Sequence, residues 1–124
     1  MTRQLASFLA AALVASFPLA AQAAGDVAAG KAKFDLFCAS CHGAGGKGDG
    51  PAAPKEPAPR DFTQGDFKYD ADKDGKAGSD ADLALIIKNG AAAYGGSPLM
   101  VGWGAALQEA DVQNIIAFVR SLKP

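Results

Sequence analysis

The sequence predicts an all-α fold in which the helices are joined by long loops. Three segments place apolar residues at the three- and four-residue spacing of an amphipathic helix. No segment has the alternating pattern that is typical of a β-strand. Between Gly43 and Gly78, glycines, prolines and Asp–Lys pairs leave no period at all. The 124 residues support a single domain, and a loop this long inside one is typical of a segment that packs on something or carries function.

The first two helices have well-defined starts. The first is predicted to begin at Asp26, a residue type that caps helix N-termini well. Its apolar face consists of Val27, Gly30, Phe34 and Phe37. The second opens at Ser79, with Asp82 three residues later in a pattern that resembles a capping box. Its apolar stripe and its stop are Leu83, Ile86 and Ile87, followed by Asn89-Gly90.

The third helix has the clearest apolar face and the weakest start. The face consists of Val112, Ile115, Ile116, Val119 and Leu122. Arg120 and Lys123 lie near the C-terminal end, where the helix dipole favours cations. Gln108, which would stand at the beginning, is a poor capping residue.

The N-terminus has the features of a secretory signal. Arg3 supplies a basic start, residues 5–21 carry no charge, and Ala21-Gln22-Ala23 has the small-x-small form of a cleavage site. We therefore predict that residues 1–23 are a signal peptide removed on export and that residues 24–124 are the functional domain. The alternative is an uncleaved membrane anchor, which needs about 20 apolar residues. Two serines and a proline interrupt this run.

Charge and cysteine content exclude two classes of protein. The chain has 12 basic and 13 acidic residues, for a net charge of −1, which argues against a nucleic-acid binder recognised by its electrostatics. Two cysteines are too few for a disulfide-dense secreted scaffold.

The chemistry is concentrated at Cys38-Ala-Ser-Cys41-His42, the C-x-x-C-H sequence that attaches c-type haem. Two cysteines three apart can form thioethers to the vinyl groups on one edge of the porphyrin, and the histidine that follows can bind the iron. Three alternatives stay open: a redox dithiol, which would favour a βαβ context; a structural disulfide; and a zinc site, which would need a fourth ligand.

At this motif the sequence resembles the class I c-type cytochromes, specifically the small bacterial mono-haem proteins. The resemblance extends over nearly all of residues 26–124. It implies one covalent haem c and an all-α fold of three or more helices wrapped around it. In that family a glycine and an aromatic residue of the N-terminal helix pack against the C-terminal helix. Gly30 and Phe34 stand at those positions, and residues 115–120 resemble the partner segment.

The residues also indicate how the iron would be ligated. His42 is the only histidine, and Met100 is the only methionine that remains once Met1 is removed with the signal. Taken alone, a methionine here is more often core filler, but in the family resembled the sixth ligand is a methionine in such a loop. His42 and Met100 are therefore the expected axial ligands. A thioether favours ferrous iron, and a filled coordination sphere favours an electron carrier over an enzyme.

The family resemblance also suggests residues around the haem. It nominates the Pro51 carbonyl as the acceptor for the free N–H of His42; the alternative is a mere turn. Arg60, in a Pro-Arg-Asp-Phe stretch seen in some exported bacterial cytochromes c, could neutralise a haem propionate, although a solvated loop arginine is the simpler interpretation. Tyr94 and Trp103 are expected to wall the haem crevice.

Asp70, Asp72 and Asp74 begin like a calcium loop. The pattern then fails, because Ala81 stands where a bidentate glutamate is needed and Lys73 lies among the acids. The sequence favours a charged, solvated turn over a weak Ca²⁺ site.

These observations predict an exported mono-haem cytochrome c that carries single electrons between redox proteins of the periplasm. It is not expected to be an enzyme or to bind nucleic acid, and it would meet the membrane only if the signal were retained. Two alternatives remain: a haem subunit or dedicated partner of one periplasmic dehydrogenase or oxidase, and a five-coordinate haem sensor, which would require Met100 to be off the iron.

Overall fold

The computed structural model describes residues 25–124, and these residues are helical with no strand. Four helices are formed: α1 (Val27–Phe37), α2 (Ala39–His42), α3 (Asp80–Asn89) and α4 (Glu109–Ser121). Short 3-10 turns lie at Phe62–Gln64 and Ala92–Tyr94. The all-α prediction is confirmed, while the predicted signal, residues 1–23, lies outside the described residues. Within residues 25–124 there is no helix with the length and apolarity needed to cross a bilayer.

Helices α1, α3 and α4 begin at side-chain caps, two of which were predicted, whereas α2 has none. The Asp26 carboxylate accepts the N–H of Ala29 at 2.9 Å. At α3, Ser79 and Asp82 form the reciprocal capping box that their spacing predicts. The third cap was missed: the Asp111 carboxylate accepts the Gln108 N–H at 3.0 Å and so fixes the start of α4. Helix α4 therefore begins securely although Gln108 is a poor capping type.

The core forms where α1 crosses α4. A Cβ atom on Gly30 would lie 1.8 Å from the Asn114 carbonyl oxygen, so only glycine allows the two backbones to come this close. Phe34, 1% exposed, packs edge-on against Phe118 with ring centroids 5.0 Å apart. The side chain of Asn114 also accepts the N–H of Asp26 at 2.8 Å. The predicted crossing of the first and last helices is confirmed.

The long middle loop is tied to the helices by backbone hydrogen bonds and by one buried carboxylate. Asp82 is fully buried and accepts the N–H groups of Ala71 and Asp72 at 2.6 and 3.1 Å. Burial acts to raise the pKa of Asp82, but the hydrogen bonds from the backbone of Asp72, Ser79 and Ala71 and from the Ser79 hydroxyl outweigh it and lower the pKa to about 2. Asp82 thus both caps α3 and anchors the end of the loop.

Candidate haem site

One cavity of about 540 Å³ lies between α1, α2, the middle loop, α3 and the loop that carries Met100. Its volume is in the range of cofactor and ligand pockets. Cys38, Cys41, His42 and Met100 all line it, and so does Arg60. The remaining wall is mostly apolar, with contributions from Phe34, Phe37, Leu83, Ile87, Trp103, Ile116 and Val119. Residues far apart in the sequence are therefore brought together around one apolar space.

The two cysteines are placed by the junction of α1 and α2. Cys38 ends α1, and its N–H donates to the Phe34 carbonyl at 2.8 Å. Cys41 lies within the single turn of α2 that ends at His42. Both thiols are free and half-buried, and burial raises the pKa of Cys38 to about 11. The C-x-x-C-H motif thus presents two thiols and one imidazole to the same cavity.

The His42 imidazole has the character of a metal ligand. Burial lowers its pKa, and a contact with the backbone of Arg60 works in the opposite direction. A neutral imidazole keeps a lone pair for a metal. Within residues 25–124, its buried Nδ1 has no partner at hydrogen-bond distance, a situation that costs about 1–3 kcal/mol for an ordinary polar atom. The apolar cavity, the thiols and this imidazole fit a covalently bound haem.

The predicted hydrogen bond between His42 and Pro51 does not form. The Gly50 N–H donates to the Cys41 carbonyl at 3.1 Å, and the Ala52 N–H donates to the Ser40 carbonyl at 2.8 Å. These two bonds hold the intervening turn against the backbone of α2, where Pro51 is exposed and lies outside the cavity wall. The backbone that reaches the ring belongs instead to Arg60.

Met100 lies on a loop that is fastened to the end of α3. Its N–H donates to the Ser97 carbonyl at 3.2 Å, and its carbonyl accepts the Ala91 N–H at 3.0 Å. Gly90, with φ +85°, makes the close approach possible, since a Cβ there would lie 2.9 Å from the Met100 carbonyl oxygen. On either side of Met100, Leu99 and Val101 are 61% and 52% exposed.

Other predicted residues divide between the cavity and the surface. Arg60 lines the cavity, and its guanidinium is also paired with Asp66 at 3.4 Å. Trp103 lines the cavity and packs on Phe37 with ring centroids 5.4 Å apart. Tyr94 does not line it; its hydroxyl accepts a hydrogen bond from the Asn89 side chain at 2.7 Å. The expectation for Trp103 is confirmed and that for Tyr94 is wrong.

The three aspartates of the loop end do come together, with carboxylate oxygens within 4.8 Å of one another. However, backbone groups of the same turn are their hydrogen-bond donors: Asp70 accepts from Asp74 and Gly75, and Asp74 accepts from Lys76. These hydrogen bonds form the charged turn that the sequence favours.

Comparison with known proteins decides the family. The family model described as "Cytochrome c" matches residues 27–123. The chain belongs to the cytochrome c family. Its cofactor is therefore covalent haem c, and Cys38 and Cys41 fit the attachment motif. Members of this family are electron carriers.

Two known proteins are similar to this cytochrome c. Cytochrome c-554(547) of Halothiobacillus neapolitanus is 35% identical over 102 residues, which cover 81% of this chain and all of that protein. A chain in the structure of a reducing HAO-like protein complex from Kuenenia stuttgartiensis superposes with a TM-score of 0.63 at 29% identity, covering 79% of this chain. This cytochrome c spans only 43% of that longer chain.

One residue beside the motif was missed by sequence reasoning. The ring of Phe62 lies against the imidazole of His42, with centroids 4.6 Å apart and planes inclined by 21°. Phe62 stands in a 3-10 turn inside the aperiodic loop, so no helical or strand period could assign it to the site. The only available signal was its place in the Pro-Arg-Asp-Phe stretch.

Proposed function

We propose that this cytochrome c is an exported one-electron carrier in which Cys38 and Cys41 hold the haem and His42 and Met100 ligate its iron. The observation that carries the proposal is that these four side chains, separated by up to 62 positions in the sequence, line a single apolar cavity. The bound haem supplies an iron that takes up and releases one electron. The chain's own residues determine which oxidation state of that iron is favoured and how closely redox partners can approach it.

The proposed ligands favour carrying electrons over catalysis. The half-buried His42, whose pKa is lowered by burial, would offer a nitrogen to the iron, and the thioether of Met100 would offer a soft sulfur donor. A thioether ligand would stabilise the reduced state and raise the potential. With both ligands supplied by the chain, no site would be left for a substrate. The apolar wall excludes water, and this limits the reorganisation that accompanies each change of charge.

Export and a periplasmic location form part of the proposal. They are supported by the signal-like pattern of residues 1–23 and by the motif itself, because c-type haem is attached outside the cytoplasm. N-terminal sequencing of the protein recovered from a periplasmic extract tests this: a start at Ala24 supports cleavage, whereas an intact Met1 in the membrane fraction indicates an anchor.

The ligation is tested by optical spectra of the mature holoprotein. The parent is expected to show the weak far-red charge-transfer band of methionine-ligated ferric haem and no ready binding of CO when reduced. Met100→Leu keeps the side-chain volume but removes the sulfur, so it should abolish the band, admit CO and lower the potential. Leu99→Ala, next to it and exposed, is the control and should retain the band. A parent that lacks the band and binds CO would favour the sensor function instead.

A second candidate is a haem subunit or dedicated partner of one redox enzyme. It is favoured by the likeness to a longer chain in the structure of a protein complex. This cytochrome c spans 43% of that longer chain. Gentle purification from the native host distinguishes the two. Stoichiometric co-elution with one protein at physiological salt supports the subunit, and elution as a monomer supports the free carrier.

A further inference from the structure

We propose that Phe62 is a positioning residue for His42, setting the plane of the imidazole by stacking on its face. The inference rests on the proposed ligation of haem iron by His42. Among residues 25–124, two aromatic rings lie near this imidazole, and one of them is nearly parallel to it. Phe34 is 6.4 Å away and tilted by 49°, whereas Phe62 is 4.6 Å away and inclined by only 21°. That separation is typical of offset stacked rings.

A gap in the hydrogen bonding of His42 gives the stacking its importance. A metal-bound histidine is normally oriented by a hydrogen bond from its second ring nitrogen to a carbonyl or carboxylate. Here, within residues 25–124, the buried Nδ1 has no partner at hydrogen-bond distance, although the Arg60 backbone lies near enough to act on the pKa of the ring. Without such a bond the ring would be free to turn about its bond to the metal unless packing stops it, and Phe62 covers one of its faces.

The position of Phe62 is fixed relative to His42 by the backbone. The Phe62 N–H donates at 2.7 Å to the carbonyl of Gly46, in the turn that directly follows His42. The turn carrying Phe62 is capped by Asp61, whose carboxylate accepts the Thr63 N–H at 2.9 Å and its hydroxyl at 2.6 Å. The two rings thus belong to segments that are bonded to each other, and their relative orientation is built in.

The opposite face of Phe62 is supported as well. Phe67 lies nearly parallel to it, with centroids 6.0 Å apart and an inclination of 24°. The guanidinium of Arg120 sits 4.8 Å from the Phe67 ring and is held in turn by Asp80 at 2.8 Å and by the Gly78 carbonyl at 2.6 Å. This stack, from Arg120 through Phe67 and Phe62 to His42, prevents Phe62 from swinging away.

The test reads the orientation of the imidazole directly in the ferric holoprotein. The spread and order of the haem-methyl proton shifts, and the EPR g-values, depend on the direction of the axial ligand planes. Phe62→Leu, which keeps an apolar side chain but removes the flat ring, should change the methyl pattern and broaden the EPR signal. Phe62→Tyr keeps the flat ring and should show the same haem-methyl pattern as the parent. Phe67→Leu, one ring further out, should give a smaller change in the same direction.

Phe118→Leu is the matched control. Phe118 is buried and packs on Phe34, but it is not in contact with the imidazole. It should lower stability while leaving the methyl pattern unchanged. The proposal is overturned if Phe62→Leu has the parent pattern, or if Phe118→Leu changes the pattern as much. Should Phe62→Leu fail to mature, Phe62→Met replaces it under the same criteria.

Failure of the proposed function is recognised separately. If the parent itself lacks the spectroscopic signature of histidine and methionine ligation, the ligation is wrong before any variant is compared. If the parent and Phe62→Leu both show that signature and share one methyl pattern, the ligation stands and only the role of Phe62 falls.

Discussion

Replacing Gly30 by alanine should separate the two helices that form the core. The added Cβ would lie 1.8 Å from the Asn114 carbonyl oxygen and 2.4 Å from its carbon, whereas carbon and oxygen normally approach to about 3.4 Å. The backbones must therefore move apart by roughly 1.5 Å, and a gap of 0.5–1 Å already forfeits about a quarter to a half of each contact's attraction. Overpacking of this kind costs about 3 kcal/mol.

The gain in helix propensity offsets only part of this cost. Alanine is about 1 kcal/mol better than glycine in a helix interior, so the net loss is about 2 kcal/mol. For a domain of this size, that corresponds to a fall in Tm of roughly 8–16 °C. The measurement is thermal and guanidinium unfolding of the ferric holoprotein, followed both by circular dichroism and by haem absorbance.

Gly45→Ala is the matched control for this substitution. Gly45 is exposed, its φ is not positive, and a Cβ there meets nothing within 4 Å. The variant should be unchanged or slightly more stable, because alanine restricts the unfolded chain. The reasoning about the close helix crossing is refuted if Gly30→Ala unfolds within about 0.5 kcal/mol of the parent, the ordinary range of a surface change.

Three further predictions concern the loop anchor, a helix cap and the rim of the cavity. The pKa of Asp82 is lowered from 3.8 to about 2 in the folded state, so its contribution to the free energy of unfolding is present above pH 3.8 and is lost as the pH falls toward 2. Asp82→Asn should therefore lower Tm at neutral pH, and the Tm of the variant should fall less than that of the parent between pH 3.8 and 2. Ser79→Ala removes the hydroxyl cap of α3 and should cost about 1 kcal/mol in guanidinium unfolding, and an unchanged midpoint would contradict the cap. Residues 89–108 carry no charge, and Leu99 is 61% exposed there. If two copies dock through this surface, the positive charge added by Leu99→Lys repels the same charge on the other copy. Electron self-exchange, measured by NMR line broadening, should then slow about tenfold at low salt and recover at high salt. Leu36→Lys, on the 75% exposed side chain of α1, adds the same charge elsewhere and should have little effect, so equal slowing by both variants would contradict docking at the rim.

The sequence predicted the helices that depend on local signals. In α1 and α3 an apolar period is combined with a cap, and α3 also has a stop signal, whereas α4 was predicted from its apolar period and its C-terminal cations. Helix α2 has only four residues, too few to show a period. The cap at Asp111 was missed because it works in the reverse direction: the backbone N–H of Gln108 donates to a carboxylate three residues later in the chain. The second role of Asp82 was missed because its partners, Ala71 and Asp72, lie ten or more positions away in an aperiodic loop.

The site residues also divide into those that a local motif predicts and those whose roles depend on distant parts of the chain. Cys38, Cys41 and His42 form a contiguous motif, so their spacing alone indicates the chemistry. Met100 could be nominated because residues 24–124 contain no other methionine. The hydrogen bond nominated for the Pro51 carbonyl is not formed in the structure, because the direction of a carbonyl depends on the hydrogen bonds of the surrounding turn, which the sequence does not reveal. Phe62 was missed because its stacking depends on how the middle loop folds back on α2.

The distance between the two proposed axial ligands depends on a chain of helix contacts, and glycines control its closest approaches. His42 follows α1 directly through α2; α1 rests on α4 at Gly30, and α4 packs on α3. The Met100 loop is then fastened to the end of α3 at Gly90, and at Gly102, where a Cβ would lie 2.5 Å from the Lys88 carbonyl oxygen. The two cysteines and His42 share one short segment, so separating the helices leaves their mutual arrangement intact. A displacement at Gly30 should therefore move Met100 relative to His42 while the two cysteines and His42 keep their arrangement. On heating Gly30→Ala, the far-red band should weaken at a lower temperature than that at which the helices unfold.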